Sequence, residues 1–307
     1  MKRPEINFKK QENLINIYYK HMRAKGNDID INLNGVTICY DDFGEGPTPI
    51  IFVHGFPFDK SAWQPQMDFF KHTHRVIAYD IRGFGKSTLG EEELSMRLFA
   101  DDLVKLMDGL QIKKAIVCGL SMGGYILMNA AYRYAHRFEA IILSDTQCIA
   151  DSSEIKIKRA ETIALIKTEG LENYAEGYVK NIFCEDTLSS KNELVGKIRD
   201  IILSTFPSTI IGTLHALAKR WQMCPSLKEI SIPALILCGK EDKITPIVQS
   251  EIMLKNITNS TMKIINNAGH MSNLEQPEKF NIHLTNFIST IEQQQFFNKY
   301  KLNATHN

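Results

Sequence analysis

Apolar residues in this chain fall into short continuous runs separated by amphipathic stretches. The runs at 50–53, 76–79, 115–118, 140–143, 234–238 and 262–265 are of strand length and rich in Ile, Val and Leu. Continuous rather than alternating patterning predicts strands covered on both faces, as in a parallel sheet. The segments 31–33 and 36–40 flank Asn34-Gly35, which predicts an antiparallel hairpin with a type I′ turn. Between the runs lie helical patterns: Phe99, Leu103, Leu106, Met107 and Leu110 share one face, as do Phe280, Leu284, Phe287, Ile288 and Ile291. Strand and helix thus alternate, which predicts an α/β chain with right-handed crossovers. From 147 to 225 the rhythm breaks. That interval has no strand-like run, only helical patterns at 155–167, 171–182 and 194–203, and it predicts a helical cap over the sheet's C-terminal edge.

Composition changes this picture little. Apolar residues make up 44% of the 307 and charged residues 23%, ordinary for a globular chain that buries most of its apolar surface. With 36 Lys and Arg against 35 Asp and Glu, the formal net charge of +1 gives no reason to expect a nucleic-acid partner. The first 25 residues hold seven Lys/Arg against two Glu and read as a solvated extension. No apolar run of signal-peptide type follows that basic start, and no window approaches the ~20 apolar residues of a membrane span, so neither a secretory leader nor a span is expected. The six cysteines (Cys39, Cys118, Cys148, Cys184, Cys224, Cys238) are scattered, with no C-x-x-C pair and no zinc spacing. They predict reduced thiols, no metal and a cytoplasmic location. No G-x-G-x-x-G follows a strand, and Gly85-Lys86-Ser87 lacks the first glycine of a phosphate loop, Asp80 standing in its place; no cofactor is expected.

Candidate chemistry gathers at the ends of the strand runs. Gly119-Leu120-Ser121-Met122-Gly123, followed by Gly124, stands between the run at 115–118 and a helical pattern at 125–136. A G-x-S-x-G pentapeptide alone is a weak signal. Between a buried strand and a helix it predicts a strained turn that exposes the Ser121 hydroxyl and aims the Met122 N–H at the same space. A serine hydroxyl needs an adjacent base at neutral pH. His270 follows the last strand run, at the strand edge where open α/β sheets hold ligands, whereas His54 reads as a turn-shaping residue. The base in turn needs a carboxylate to fix its tautomer. Asp242 follows the run at 234–238 directly, with the adjacent Glu241 pointing elsewhere, and Asp145, after 140–143, is the alternative. A second oxyanion donor is expected from Phe56, whose N–H follows the turn at Gly55; the surrounding loop makes Phe56, Phe58 and Trp63 candidates for substrate contact.

In order, HGFP, DIRGFGKS, GLSMGG, GKEDKITP and NAGHMSNLEQPE make this chain resemble the α/β-hydrolase family over about residues 29–292, and within it the small esterases that include 3-oxoadipate enol-lactonases and bacterial arylesterases. The resemblance implies a mostly parallel eight-stranded sheet flanked by helices, with a cap insertion. It also implies roles for Ser121, Asp242, His270 and the backbone of Phe56 and Met122. Relatives that are dehalogenases or epoxide hydrolases carry aspartate where Ser121 stands, and ring-product carbon–carbon hydrolases carry asparagine where Leu120 stands; neither class is implied. The expected organisation is an extension at 1–28, a discontinuous core at 29–146 and 226–292, a cap at 147–225 and a tail at 293–307. The expected activity is hydrolysis of a small to medium carboxylic ester or lactone, with a thioesterase-like hydrolase or a weakly catalytic ligand-binding homologue as alternatives.

Overall fold

The computed structural model describes residues 25–33 and 35–304, the last helix by backbone alone from 298. Eight strands form one sheet: β1 (Gly26–Leu33), β2 (Val36–Phe43), β3 (Ile50–Val53), β4 (Val76–Tyr79), β5 (Ala115–Leu120), β6 (Phe138–Ser144), β7 (Ala234–Gly239) and β8 (Ser260–Ile265), in the order β1-β2-β4-β3-β5-β6-β7-β8. Only the β1–β2 and β2–β4 pairs are antiparallel. From β4 through β3 to β8 every neighbour is parallel, with β3 pairing Ile50 to Ile116 of β5 and Val53 to Gly119. The runs of Ile, Val and Leu thus become central strands: every residue of β3, β4, β5 and β7 is buried. β8 departs from the expected two-faced burial. It is the edge strand, with Ile264 exposed, so its apolar run is covered on one side only.

The helices are α1 (Gln64–Phe70), α2 (Met96–Gly109), α3 (Met122–Arg133), α4 (Ser153–Glu169), α5 (Glu172–Ile182), α6 (Glu185–Ser190), α7 (Asn192–Ser204), α8 (Pro207–Ala218), α9 (Ile247–Asn256), α10 (Ser272–Glu275) and α11 (Pro277–Ala304). The faces read from the sequence are those that pack. Phe99, Leu103, Leu106 and Met107 of α2 have no exposed surface, nor do Phe280 and Leu284 of α11. Helices α4 to α8 fill the interval between β6 and β7 that the sequence assigns to a cap. Two of them, α6 and α8, have no counterpart in the helical patterns read from the sequence. α6 is six residues long, too short to show a period. α8 is Thr- and Ile-rich and starts at Pro207, the residue best tolerated at a first helical position.

Three expectations change. β1 begins at Gly26, inside the span assigned to the N-terminal extension, and α11 continues past the boundary assigned to the tail. Residues 1–24, the rest of the extension, and Asn34 of the hairpin turn lie outside the described residues. The cysteines are not all reduced: Cys148 and Cys224, 76 residues apart, form a disulfide that joins the two ends of the cap. Cys39, Cys118, Cys184 and Cys238 are free and buried. The disulfide removes the cysteine-based ground for a cytoplasmic location. Among the described residues, no single helix is long and apolar enough to cross a membrane.

Candidate active site

The loops after β3, β5, β6, β7 and β8 leave the same rim of the sheet, because these neighbouring strands are parallel. Each carries at least one residue singled out above. At the centre, β5 ends at Leu120 and α3 starts at Met122, so the whole reversal falls on Ser121, at φ 52° and ψ −113°. A non-glycine residue there is strained and persists only where its surroundings enforce it. The enforcement is visible. The Ser121 N–H donates to the Ser144 carbonyl at 2.9 Å, and the Thr146 hydroxyl donates to the Ser121 carbonyl at 2.7 Å. The glycines allow the close approach: a Cβ on Gly119 would lie 2.4 Å from the Gly123 carbonyl oxygen, and one on Gly123 2.3 Å from that of Val53.

His270 is fully buried in the loop after β8. Its N–H donates to the Ile182 carbonyl at the end of α5, at 2.7 Å, so cap and core meet at this residue. Gly269 is held by Glu275, whose carboxylate accepts from the Gly269 N–H at 2.7 Å and from the Cys184 N–H at 2.9 Å. On the other side, Gly239 presses so closely that a Cβ there would sit 2.0 Å from the Gly269 carbonyl oxygen. The imidazole then reaches both ways. Nε2 lies 2.8 Å from the Ser121 hydroxyl, and Nδ1 lies 2.8 Å from Oδ2 of Asp242. The Asp242 carboxylate also accepts from the N–H groups of Ile244 and Thr245, at 2.8 and 3.0 Å, and from the Thr245 hydroxyl at 2.7 Å.

Burial disfavours charge on both partners, but proximity wins. His270, with the donors from Thr245, holds the Asp242 carboxyl below its ordinary range. Asp242, aided by Asp145 and Glu275, holds the His270 imidazolium above its ordinary range. An ionised Asp242 requires the proton on Nδ1, which leaves Nε2 as the acceptor facing the serine hydroxyl. Such a chain can move a proton from hydroxyl to imidazole and back.

The alternative acid, Asp145, is also present at the rim, but no hydrogen bond joins it to His270. Its carboxylate accepts from the Gly239 N–H, the Ser144 hydroxyl and the Ser272 hydroxyl at 2.5–2.8 Å. Burial, then repulsion from Asp242, pushes its pKa up to about 7. Glu241 points away, accepting from the Ala268 N–H. His54 shapes its turn: Nδ1 donates to the Gly55 carbonyl and Nε2 accepts from the Ile81 N–H. That pairing occupies both ring nitrogens.

The loop at Gly55-Phe56 lies directly over the serine, since a Cβ on Gly55 would be 3.2 Å from the Ser121 Cβ. Neither the Phe56 nor the Met122 N–H has a protein acceptor among the described residues. Phe56 and Phe58 pack edge-on against Tyr178 of the cap, whose hydroxyl donates to the Phe56 carbonyl at 2.7 Å. Phe58 and Trp63 are both fully buried. Trp63 packs between Phe52 of β3 and Phe280 of α11, so its ring belongs to the core and not to a substrate pocket. Sequence reasoning missed Thr245, Glu275 and Tyr178. The first carries a faint signal, a threonine three residues after an aspartate just before a helix; the other two act only once distant segments dock. Among the described residues, no three His, Cys, Asp or Glu side chains cluster as metal ligands.

This fold, with a serine at its central strand-to-helix turn, agrees with comparison to known proteins. The alpha/beta hydrolase fold family matches residues 48–277, and the chain belongs to that family. Among its curated relatives is 3-oxoadipate enol-lactonase 2 of Acinetobacter baylyi, 30% identical over 247 residues that cover 80% of this chain and 91% of the relative. Among solved structures, a thermophilic esterase from Thermogutta terrifontis superposes with a TM-score of 0.81 at 32% identity, covering 86% of this chain and 98% of that one. The enol-lactonase from Burkholderia xenovorans gives 0.80 at 26% identity, covering 85% and 100%. The protein is thus a hydrolase of the α/β-hydrolase family, similar to esterases and enol-lactonases.

Proposed function

We propose that this chain is a serine hydrolase of small to medium carboxylic esters or lactones, working through an acyl-enzyme. The observation that carries the reading is the unbroken hydrogen-bonded chain Ser121–His270–Asp242 at a positive-φ strand-to-helix turn. Ser121 Oγ attacks the carbonyl carbon while His270 Nε2 takes its proton. The oxygen that becomes negative is met by the N–H groups of Phe56 and Met122, each donor worth about 10²–10³ in rate in comparable sites. Collapse breaks the bond to the alcohol, which leaves with the proton from His270. Water then attacks the acyl group, giving its proton to His270, and Ser121 leaves with that proton to release the acid. In a lactone the leaving alkoxide stays tethered, so one hydroxy acid departs after the second step.

Residues 147–225, tied at the base by Cys148–Cys224, serve in this reading as the substrate-selecting cap over a core of 29–146 and 226–292. Similarity to both an esterase and an enol-lactonase supports the ester and lactone classes together. A fluorophosphonate probe tests the assignment. The expected result is rapid, single-site labelling at Ser121, blocked by heat denaturation; a folded protein that stays unlabelled refutes it. A panel of short aryl esters, lactones and thioesters then ranks the substrate classes.

A further inference from the structure

The two halves of the proposed mechanism sit on loops far apart in the chain, after β3 and after β8, and one short stretch, 178–184, touches both. Tyr178 on α5 donates its hydroxyl to the Phe56 carbonyl at 2.7 Å, and the rings of Phe56 and Phe58 pack edge-on against it. One turn further on the helix ends, and the last carbonyls of a helix have no partner within it. That of Ile182 is taken by the His270 N–H at 2.7 Å. The chain then turns extended at Phe183. The next N–H, that of Cys184, donates to Glu275 at 2.9 Å, and the same carboxylate accepts from the Gly269 N–H at 2.7 Å, one oxygen for each donor.

These bonds lie in a packed seam. Val179, Ile182, Phe183, Cys184 and Glu275 are all buried. The approach is backbone to backbone: a Cβ on Gly269 would lie 2.7 Å from the Ile182 carbonyl oxygen and 2.9 Å from the Cys184 nitrogen. With Gly239 pressing from the other side, the loop that carries His270 is held between the end of β7 and residues 182–184. Tyr178 and Ile182 are one helical turn apart, about 6 Å along the axis. A shift of α5 therefore reaches the Phe56 loop and the His270 loop together.

We infer that α5 is a strut for the reacting groups, with Tyr178 and Glu275 as positioning residues: the seating of this one helix sets both the Phe56 N–H that meets the oxyanion and the imidazole that takes the serine proton. The inference rests on the serine-hydrolase reading for its kinetic consequence. Both residues act through others. Their loss should cost transition-state stabilisation and spare ground-state binding, because a donor or a base displaced by a fraction of an ångström leaves the space for substrate unchanged.

Two measurements test it. Tyr178→Phe keeps the ring and removes the hydroxyl; Glu275→Gln keeps one acceptor oxygen and sets an NH2 group against the second N–H. With a short p-nitrophenyl ester, each is expected to lower kcat about 10–100-fold, with KM changed less than about threefold. Each should also weaken inhibition by phenylboronic acid, which forms a tetrahedral adduct on the serine, by about the same factor as kcat/KM. Because both residues act through one helix, the double variant should lose far less than the product of the two single losses. Ile198→Val thins the buried packing of α7 and leaves these bonds in place; it should lower the thermal midpoint and keep kcat within about twofold. Single variants with wild-type kcat, multiplicative losses in the double variant, or an equal loss in Ile198→Val overturn the strut. Hydrogen-exchange mass spectrometry supplies the second reading and needs no turnover. Tyr178→Phe should speed exchange in the peptide 266–275 about fivefold or more, although the Tyr178 hydroxyl bonds only the Phe56 carbonyl among the described residues. Unchanged exchange there overturns the strut. If no ester is cleaved while that exchange still responds to Tyr178→Phe, the serine mechanism fails and the strut stands.

Discussion

Replacing Asp242 by Asn removes one charge and reverses one hydrogen bond, and both effects can be read from the site. The carboxylate receives four donors: the N–H groups of Ile244 and Thr245 on Oδ1, and the Thr245 hydroxyl and His270 Nδ1 on Oδ2. An asparagine keeps its carbonyl oxygen for the two backbone donors and places an NH2 group where Oδ2 was. His270 can then keep a bond only by presenting a lone pair at Nδ1, which moves its proton to Nε2. That proton points at the Ser121 hydroxyl 2.8 Å away, and the base is lost. The same change in a related triad costs about 10⁴ in kcat, so a fall of that order is expected, with little change in the thermal midpoint. The pH profile adds a second sign. The base works when unprotonated, and Asp242 holds His270 above its ordinary value of 6.5, so the acid limb of wild-type kcat/KM lies above that pH. Without the charge on residue 242, burial opposes protonation more freely, and the limb moves to lower pH. Hydrolysis of a short p-nitrophenyl ester, followed across pH 5–9 by pH-stat, reads both effects. A loss of less than tenfold, or an acid limb that does not move, refutes the assignment of Asp242.

Ser121→Ala should fold normally, with an unchanged circular-dichroism spectrum, and lose about 10⁶ in kcat toward the same ester; more than a few per cent residual activity would assign the chemistry elsewhere. Gly239→Ala forces a methyl to within 2.0 Å of the Gly269 carbonyl and 2.5 Å of that of Ala268, both backbone atoms that cannot swing aside. The loop carrying His270 must shift, so activity should collapse and stability should fall by about 1–3 kcal/mol by chemical denaturation. Cys148→Ser opens a loop closed across 76 residues; the chain-entropy estimate for that length is about 4.5 kcal/mol, and a reducing agent should lower the wild-type midpoint but not the variant's.

Much of the fold was legible because its central strands need nothing but local composition to declare themselves. Ile50–Val53 and Val76–Tyr79 are apolar throughout and become strands over those same residues, since a parallel strand with both faces covered has no polar position to interrupt the run. The same logic overstates β8, where the run reports hydrophobicity but not the missing neighbour. Cap helices were visible where one face is polar, as in α5 and α7, and invisible in α8, whose Thr209, Ile210, Thr213, Leu214, Ala216 and Leu217 are all buried. Cys148 and Cys224 carry no spacing signal; their pairing follows from the cap's two ends returning to one place. Tyr178 lies in the same category, because its bond to the Phe56 carbonyl forms only when α5 settles over that loop.

The choice between Asp145 and Asp242 shows where sequence reasoning ends. Both acids follow a buried strand, on the adjacent and parallel β6 and β7, so position cannot rank them. The structure ranks them by what surrounds each carboxylate. Asp242 receives two backbone N–H groups, a hydroxyl and the one titratable donor, His270, and it ionises readily despite burial. Asp145 receives one N–H and two hydroxyls, none of them charged, and burial, then the charge on Asp242, pushes it up to about 7. Two neighbouring carboxylates in a buried site cannot both ionise easily. Once the hydrogen bond of His270 selects Asp242 as the charged member, Asp145 is left as the half-protonated one near neutrality. Its residual charge still reaches the imidazole and favours protonation there. Neutralising Asp145 alone should therefore shift the acid limb in the same direction as neutralising Asp242, but without the tautomer switch that removes the base.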